Sequence, residues 1–233
     1  MNTIIKYLKL PFVYDAQAMM KEVYLLQDSW LSHYNTQDYT GEWKAIPLRS
    51  VGGSVHQAFA QQFTNNEFAD TPLLDVCPVI KSVISSFQCD KTSVRLLNLR
   101  SGAVVKEHTD PGLSYEEGEI RVHIPICTNE SVDFFIEEEP LHPQQGECWY
   151  MNFELKHRLA NNGLTDRIHL VIDCIVNEWV KNIFDNADDI KRIPKQEKFS
   201  HNEQLMIIEG LKIQGTPTAL QLAREMEALL NIQ

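Results

Sequence analysis

The sequence predicts a mainly β fold with flanking helices, and the first reason is a run of short segments after residue 92. They are TSVRLLNL, AVVKEHT, EIRVHIPIC, VDFFIEE, GECWYMNF, HRLA and RIHLVIDCIV, rich in β-branched and aromatic residues and punctuated by Gly, Asn, Asp and Pro. The second reason is alternation: in EIRVHIPIC, Arg121 and His123 face one way while Val122 and Ile124 face the other. Seven or eight antiparallel strands of this length fit a double-sheet jelly roll, the double-stranded β-helix of cupin-like architecture. Such a barrel has a mouth where inward polar side chains from separate strands converge.

The flanks read differently. Residues 3–10 suit a strand, and Asp15 is placed to cap a helix through AQAMMKEVYLLQ. WLSHYNTQDY shows no clean period and reads as an irregular connection, KAIPLRS as a strand, and residues 51–69 as a long loop near the site. Pro72 and Pro78 bracket the start of a helix that continues through VIKSVISSF. The acidic run Glu137, Glu138 and Glu139 reads as a solvated turn, and 181–198 as a charged surface connection. Ser200 with Glu203 forms a capping box before LMIIEGLKI, and Gly215-Thr216-Pro217 ends one helix and begins another. In that last helix Ala219, Leu222, Ala223, Met226, Leu229 and Leu230 share one face, suited to docking on the chain's own core or to a homodimer. The predicted organisation is a jelly-roll domain with N-terminal helices over 1–180 and a C-terminal helical extension over 181–233.

Composition narrows the function classes. The 233 residues carry a formal net charge of −11, with 43% hydrophobic residues. A globular chain of this charge offers no basic stripe for phosphates, so nucleic acid is not an expected partner. The five cysteines are scattered without a Cys-x-x-Cys pair and read as reduced thiols. With no apolar stretch suited to a signal peptide or a membrane span, a cytoplasmic protein with no membrane partner is expected.

The chemistry concentrates between His108 and Arg167. His108 and Asp110 stand two apart and could hold one metal ion from a single extended piece, with His157 as a third ligand from a distant strand. Two imidazoles and one carboxylate, with no thiolate, are the facial set of non-haem Fe(II) oxygenases rather than a structural zinc site. The isolated triplet has a plainer reading, a surface histidine and a turn-capping Asp before Pro111. The carboxylate favours hydroxylation, since a halide could take its place if position 110 were Ala or Gly. Arg167 opens an apolar strand, where a guanidinium needs an anionic partner. That partner is either a protein carboxylate such as Asp173 or Glu147, or the far carboxylate of a dicarboxylic keto acid, gripped by the planar fork. Arg121 and His123 could meet the keto acid or an acidic substrate group, and His123 and His169 could equally be core histidines. His33, His56, His142 and His201 read as surface groups. Trp43 and Arg49 suit either a substrate pocket or peripheral packing.

At RLLNLRSGAVVKEHTD, RVHIPICTN, GECWYMNFELKHRLANNG and DRIHLVIDC, with GEWKAIPLR upstream, the chain resembles the aspartyl/asparaginyl β-hydroxylase family. This is a branch of the Fe(II)/2-oxoglutarate-dependent dioxygenases that includes free-proline hydroxylases. The resemblance implies Fe(II) bound by His108, Asp110 and His157, and 2-oxoglutarate held by Arg167 with Arg121 and His123 as neighbours. It also implies dioxygen as co-substrate and hydroxylation of a free amino acid, or of an Asp, Asn or Pro residue in a short peptide. Two other readings belong to the same fold: a metal-holding sensor module without turnover, and a non-oxidative metal enzyme.

Overall fold

The computed structural model describes residues 3–58, 67–195 and 201–230. In chain order its elements are β1 (Thr3–Val13), α1 (Ala16–Leu25), β2 (Leu31–Ser32), β3 (Tyr39–Thr40), β4 (Trp43–Val51), β5 (Phe68–Asp70), α2 (Pro78–Ser86), β6 (Lys91–Leu99), β7 (Val104–His108) and β8 (Glu119–Cys127). They continue with β9 (Val132–Ile136), β10 (Glu139–Leu141), β11 (Glu147–Met151), β12 (His157–Asn161), β13 (Arg167–Ile175), α3 (Glu178–Asp185), β14 (Ile190–Pro194), α4 (His201–Gln214) and α5 (Pro217–Leu230). Two compact units result, Thr3–Ile193 and one that holds Pro194 and the last two helices.

In the first unit a nine-stranded sheet runs β14-β1-β11-β8-β13-β6-β4-β2, with β5 on β4, and a five-stranded sheet runs β10-β9-β12-β7-β3. From β6 to β13 the chain passes between them. Strands β6, β8, β11 and β13 lie in the large sheet as β11-β8-β13-β6, and β7, β9, β10 and β12 in the small one as β10-β9-β12-β7. This is the jelly-roll path expected from the sequence.

Alternation divides the large sheet into two chemistries. On β13, Ile168, Leu170, Ile172 and Cys174 join Val94, Leu96, Val122, Ile124 and Tyr150 in the main apolar core, together with Met19 and Val23 of α1 and Ile80 and Ile84 of α2. Burying these side chains contributes about 1.5–3 kcal/mol each. The intervening residues Arg167, His169, Val171 and Asp173 point into the barrel, where Leu99 and Met151 pack on Val105, Phe134 and Leu159 of the small sheet.

The helices are positioned by specific caps. Asp15 Oδ1 accepts from Ala18 N at 2.9 Å, as its N-cap position predicts. Cys77 is the N-cap of α2, but its side chain makes no cap hydrogen bond; instead Glu22 of α1 accepts from Val79 N and Ile80 N at 2.7 and 2.8 Å. Gly146 has φ +82°, and a Cβ there would lie 2.3 Å from the Tyr14 carbonyl oxygen, so the β1 end and the entry to β11 approach only through glycine.

Several expectations are corrected. The supposed solvated turn includes Glu139, which starts β10 and binds Lys6 Nζ at 3.0 Å and the Tyr7 hydroxyl at 2.6 Å. Part of the supposed surface connection is the end of α3 and the strand β14, which joins the large sheet. Phe68–Asp70 pairs with β4 instead of continuing a loop; the rest of that loop, 59–66, lies outside the described residues. The irregular stretch before β4 contains β2 and part of β3. Ser200 of the capping box lies outside the described residues.

In the second unit α4 and α5 pack together, with Ile208, Ala219 and Ala223 buried and Leu222 exposed. Thr216 Oγ1 caps α5 by accepting from Ala219 N at 3.2 Å. No helix among the described residues is long and apolar enough to cross a membrane.

Candidate metal centre and co-substrate pocket

His108 ends β7 and His157 begins β12, and the two are direct partners in the small sheet. Asp110 lies just past the strand, with its amide donating to Phe153 O at 2.8 Å. Ligand atoms of His108, Asp110 and His157 all fall within 4.8 Å of one another. The imidazoles are oriented for a metal: His108 Nδ1 is 2.8 Å from Lys106 O and His157 Nδ1 is 3.0 Å from Leu155 O. With each Nδ1 proton on a carbonyl, each Nε2 keeps its lone pair. Asp110 Oδ2 accepts from Arg121 Nη1, while Oδ1 faces His108 Nε2 at 3.8 Å. The donor set fits Fe(II): two neutral nitrogens and one oxygen, without sulfur.

The electrostatics agree. Burial acts to raise the Asp110 carboxyl, but Arg121 and the two imidazoles outweigh it and hold the group below its ordinary range. Burial, then His108, pushes His157 down to about 4, so it is neutral at physiological pH.

Arg121 lies on β8 opposite Asp173 of β13. Its Nε and Nη2 donate to Asp173 Oδ1 and Oδ2 at 2.6 and 3.0 Å, and Arg95 Nη2 donates to Oδ2 at 3.0 Å. The guanidinium of Arg121 therefore ties the Asp110 carboxylate to a buried anion. Arg167 is different. It is 3% exposed, has no carboxylate partner among the described residues, and its Nε is buried without a hydrogen bond. Burial pushes its pKa down to about 9, which leaves it charged at neutral pH. Of the protein carboxylates considered from sequence, Asp173 pairs with Arg95 and Arg121, and Glu147 with Lys9.

Arg167 borders a pocket of about 700 Å³ with His169, Phe134, Asn129 and Gln144. Its guanidinium carbon is 5.9 Å from the Phe134 ring centre. Phe134 pairs with Leu159, two residues along β12 from His157. His123 and His169 also face inward, with Nδ1 atoms 3.3 Å apart.

His33 corrects a sequence expectation. It is 5% exposed, its ring stacked between Trp43 at 3.5 Å and Tyr34 at 4.7 Å. Burial, then Arg95 and Arg121, pushes it down to about 3. Nothing in the aperiodic stretch around it marks it as buried. Trp43 Nε1 and Arg95 Nε are buried donors without partners among the described residues. Arg49 is peripheral, paired with Asp70 at 2.7 Å.

A jelly roll that gathers two imidazoles and a carboxylate within ligand reach, and holds a buried guanidinium with no carboxylate partner among the described residues, belongs to the class of metal-dependent barrels suited to oxidative chemistry. The model of the Aspartyl/Asparaginyl beta-hydroxylase family matches residues 14–176, and the chain belongs to that family. It is similar to the L-proline cis-4-hydroxylase of Rhizobium meliloti (strain 1021), 23% identical over 177 residues that make up 75% of this chain and 62% of that one. The chain thus matches over less than two thirds of that relative's length. Among solved structures, an oxidoreductase of the 2OG-Fe(II) oxygenase family from Burkholderia pseudomallei aligns over 74% of this chain and 88% of its own, at 12% identity and TM-score 0.49. The viral collagen prolyl hydroxylase of Paramecium Bursaria Chlorella virus-1 aligns over 73% and 97%, at 8% identity and TM-score 0.43.

Proposed function

We propose that this protein is an Fe(II)/2-oxoglutarate-dependent dioxygenase that hydroxylates an amino-acid side chain. The observation that carries the reading is Arg167, a buried cation with no carboxylate partner among the described residues, on a pocket in the same barrel unit as the ligand set. His108, Asp110 and His157 would hold the iron, which with 2-oxoglutarate and dioxygen would supply the oxidising power for hydroxylation, with succinate and carbon dioxide as co-products. The chain's own groups hold and orient. Arg167 binds the far carboxylate of 2-oxoglutarate, with His123 as neighbour. Arg121 fixes Asp110 through Oδ2 and leaves Oδ1 for the metal.

The substrate is a small amino acid or a short peptide bearing an Asp, Asn or Pro residue. Supporting this are the buried donors Arg95 Nε and Trp43 Nε1, without partners among the described residues, and the aromatic stack of Tyr34, His33 and Trp43. The relative named for L-proline makes that compound the first to try. We place the enzyme in the cytoplasm, in keeping with five free cysteines. Exposed Leu205, Met206 and Ile213 on α4 and Leu220 and Leu222 on α5 are candidates for a homodimer contact, which light scattering tests.

The test of function is aerobic incubation with Fe(II), 2-oxoglutarate and the twenty amino acids or Asp-, Asn- and Pro-containing peptides, read by mass spectrometry. Succinate release with a gain of one oxygen in a substrate is expected, and its loss in Asp110→Ala. Turnover that persists without dioxygen overturns the reading.

A further inference from the structure

The pocket that Arg167 borders runs from the inside of the barrel to its surface. Its buried wall includes Arg167 and His169, 3% and 2% exposed. Its outer wall is made by Asn129 and Glu130, in the loop between β8 and β9, and by His142 and Gln145, in the loop between β10 and β11. Glu130, His142 and Gln145 are exposed, so the pocket opens to solvent between these loops. None of His108, Asp110 and His157 lines it. Strand register explains why. His157 pairs with Ile136 at one edge of the small sheet, whereas Asn161 pairs with Val132, a residue of the pocket wall, at the other. Those four residue steps span about 13 Å at the usual strand rise. Strand β8 runs the same way: Arg121, bonded to Asp110, lies near its start, and Asn129 follows its end.

Both loops are held by their own side chains. Asn129 Nδ2 donates to Asn161 Oδ1 and Thr165 O, each at 3.2 Å, and Asn129 Oδ1 accepts from Ser131 N at 3.0 Å. In the other loop Gln144 N donates to Glu147 Oε2 and Gln144 Nε2 to His142 O, each at 2.8 Å. The opening is therefore built into the fold. Charge gives it a direction. A chain of net charge −11 disfavours the approach of a dianion over most of its surface. Glu130 is the one carboxylate among the residues that line this pocket, and the buried guanidinium of Arg167 has no carboxylate partner among the described residues. A cleft with low-dielectric walls focuses such a field towards its mouth and raises the local concentration of the opposite charge.

We propose that the dicarboxylic co-substrate enters, and its shorter dicarboxylate product leaves, through the opening between the 128–130 and 142–145 loops, at the end of the barrel away from the metal ligands. This rests on the assignment of Arg167 to 2-oxoglutarate. A substrate bound at the ligand edge leaves this route open, so co-substrate and substrate bind in either order. The rim residues Glu130 and Gln145 then govern how fast the keto acid exchanges.

The full chain, loaded with Fe(II) and mixed anaerobically with 2-oxoglutarate in stopped flow, gives association and dissociation rates without turnover, read from the visible absorption of a keto acid chelated to Fe(II). Gln145→Trp narrows the opening and is expected to slow both rates about fivefold with Kd within about twofold, because an obstacle on a path acts equally on entry and exit. Glu130→Lys is expected to raise the association rate about fivefold at low ionic strength, and the gain should fade with added salt. Glu138→Lys is the comparison at the other end of the barrel. Glu138 lies in the turn between β9 and β10, where Glu137 N donates to Lys156 O next to His157. Its association rate is expected to stay within about twofold of the unsubstituted protein. Acceleration by Glu138→Lys equal to or above that by Glu130→Lys overturns the entry route, as does a Gln145→Trp that leaves both rates unchanged or alters dissociation alone; the co-substrate assignment then stands. Absence of 2-oxoglutarate binding by the unsubstituted protein overturns that assignment and the inference together.

Discussion

Asp173 is the residue on which the buried charges depend. It is fully buried and is the common partner of Arg95 and Arg121, and through Arg121 it reaches the Asp110 carboxylate. Replacing Asp173 with Ala strands two guanidinium groups without that counter-charge, at an expected cost of about 3–5 kcal/mol of folding stability. The same change frees Arg121 to draw Asp110 away from the metal, so iron affinity should fall as well. Urea unfolding and metal titration check both; a stability loss below about 1 kcal/mol would be incompatible with so buried a network. Arg167 differs because no carboxylate among the described residues pairs with it: Arg167→Ala is expected to weaken 2-oxoglutarate binding by about a hundredfold while metal uptake persists. At this scale the sequence was informative where chemistry forces residue type. His108, Asp110, His157 and Arg167 stood out as groups needing partners, and the fold gathers the first three within ligand reach. His33 did not stand out, because its burial comes from stacking on Trp43, ten positions away across a strand pairing.

Elements were legible where period and cap agreed. Strands β6 to β9 and β11 to β13 were marked by alternation and punctuation, and α1 by Asp15. Strand β10 was hidden in an acidic run, since Glu139 looks solvated until Lys6 and Tyr7 arrive from β1. Strand β14 and the end of α3 were hidden in the same way among charged residues. The start of α2 is the instructive case. Pro78 signals a helix start, but the cap is Glu22, more than fifty positions earlier, which no local motif announces. Glu22→Ala is expected to cost about 2 kcal/mol by leaving two amides unsatisfied next to the helix dipole. Affinity for 2-oxoglutarate should stay within twofold at neutral pH. A change in denaturation midpoint too small to measure would show that water replaces the carboxylate.

For the whole molecule, four buried histidines couple folding to acidity. Burial lowers His33 to about 3 and His157 to about 4, and His123 and His169 lie well below their ordinary value. In the unfolded chain each titrates near about 6.5. Below that value the unfolded state binds protons that the folded state refuses, so stability is present above it and is lost as pH falls. The loss for each histidine approaches about 1.4 kcal/mol per pH unit, until the folded value is reached. Metal-free protein should therefore show a markedly lower urea midpoint at pH 5 than at pH 7.5. A flat profile over that range would mean that these rings are hydrated in solution.

The sequence by itself determined the jelly roll, the family resemblance and three metal-ligand candidates, because alternation fixes which side chains share a face and oxidative metal chemistry restricts which residue types can serve. Only the tertiary structure decided which charges meet. The pairing of Arg121 with Asp173 and Asp110, the isolation of Arg167, and the contact between His123 and His169 all depend on strand order and register between segments far apart in the chain. A guanidinium or imidazole has the same chemistry in any sequence; what it does is set by the group that the fold brings within hydrogen-bond distance.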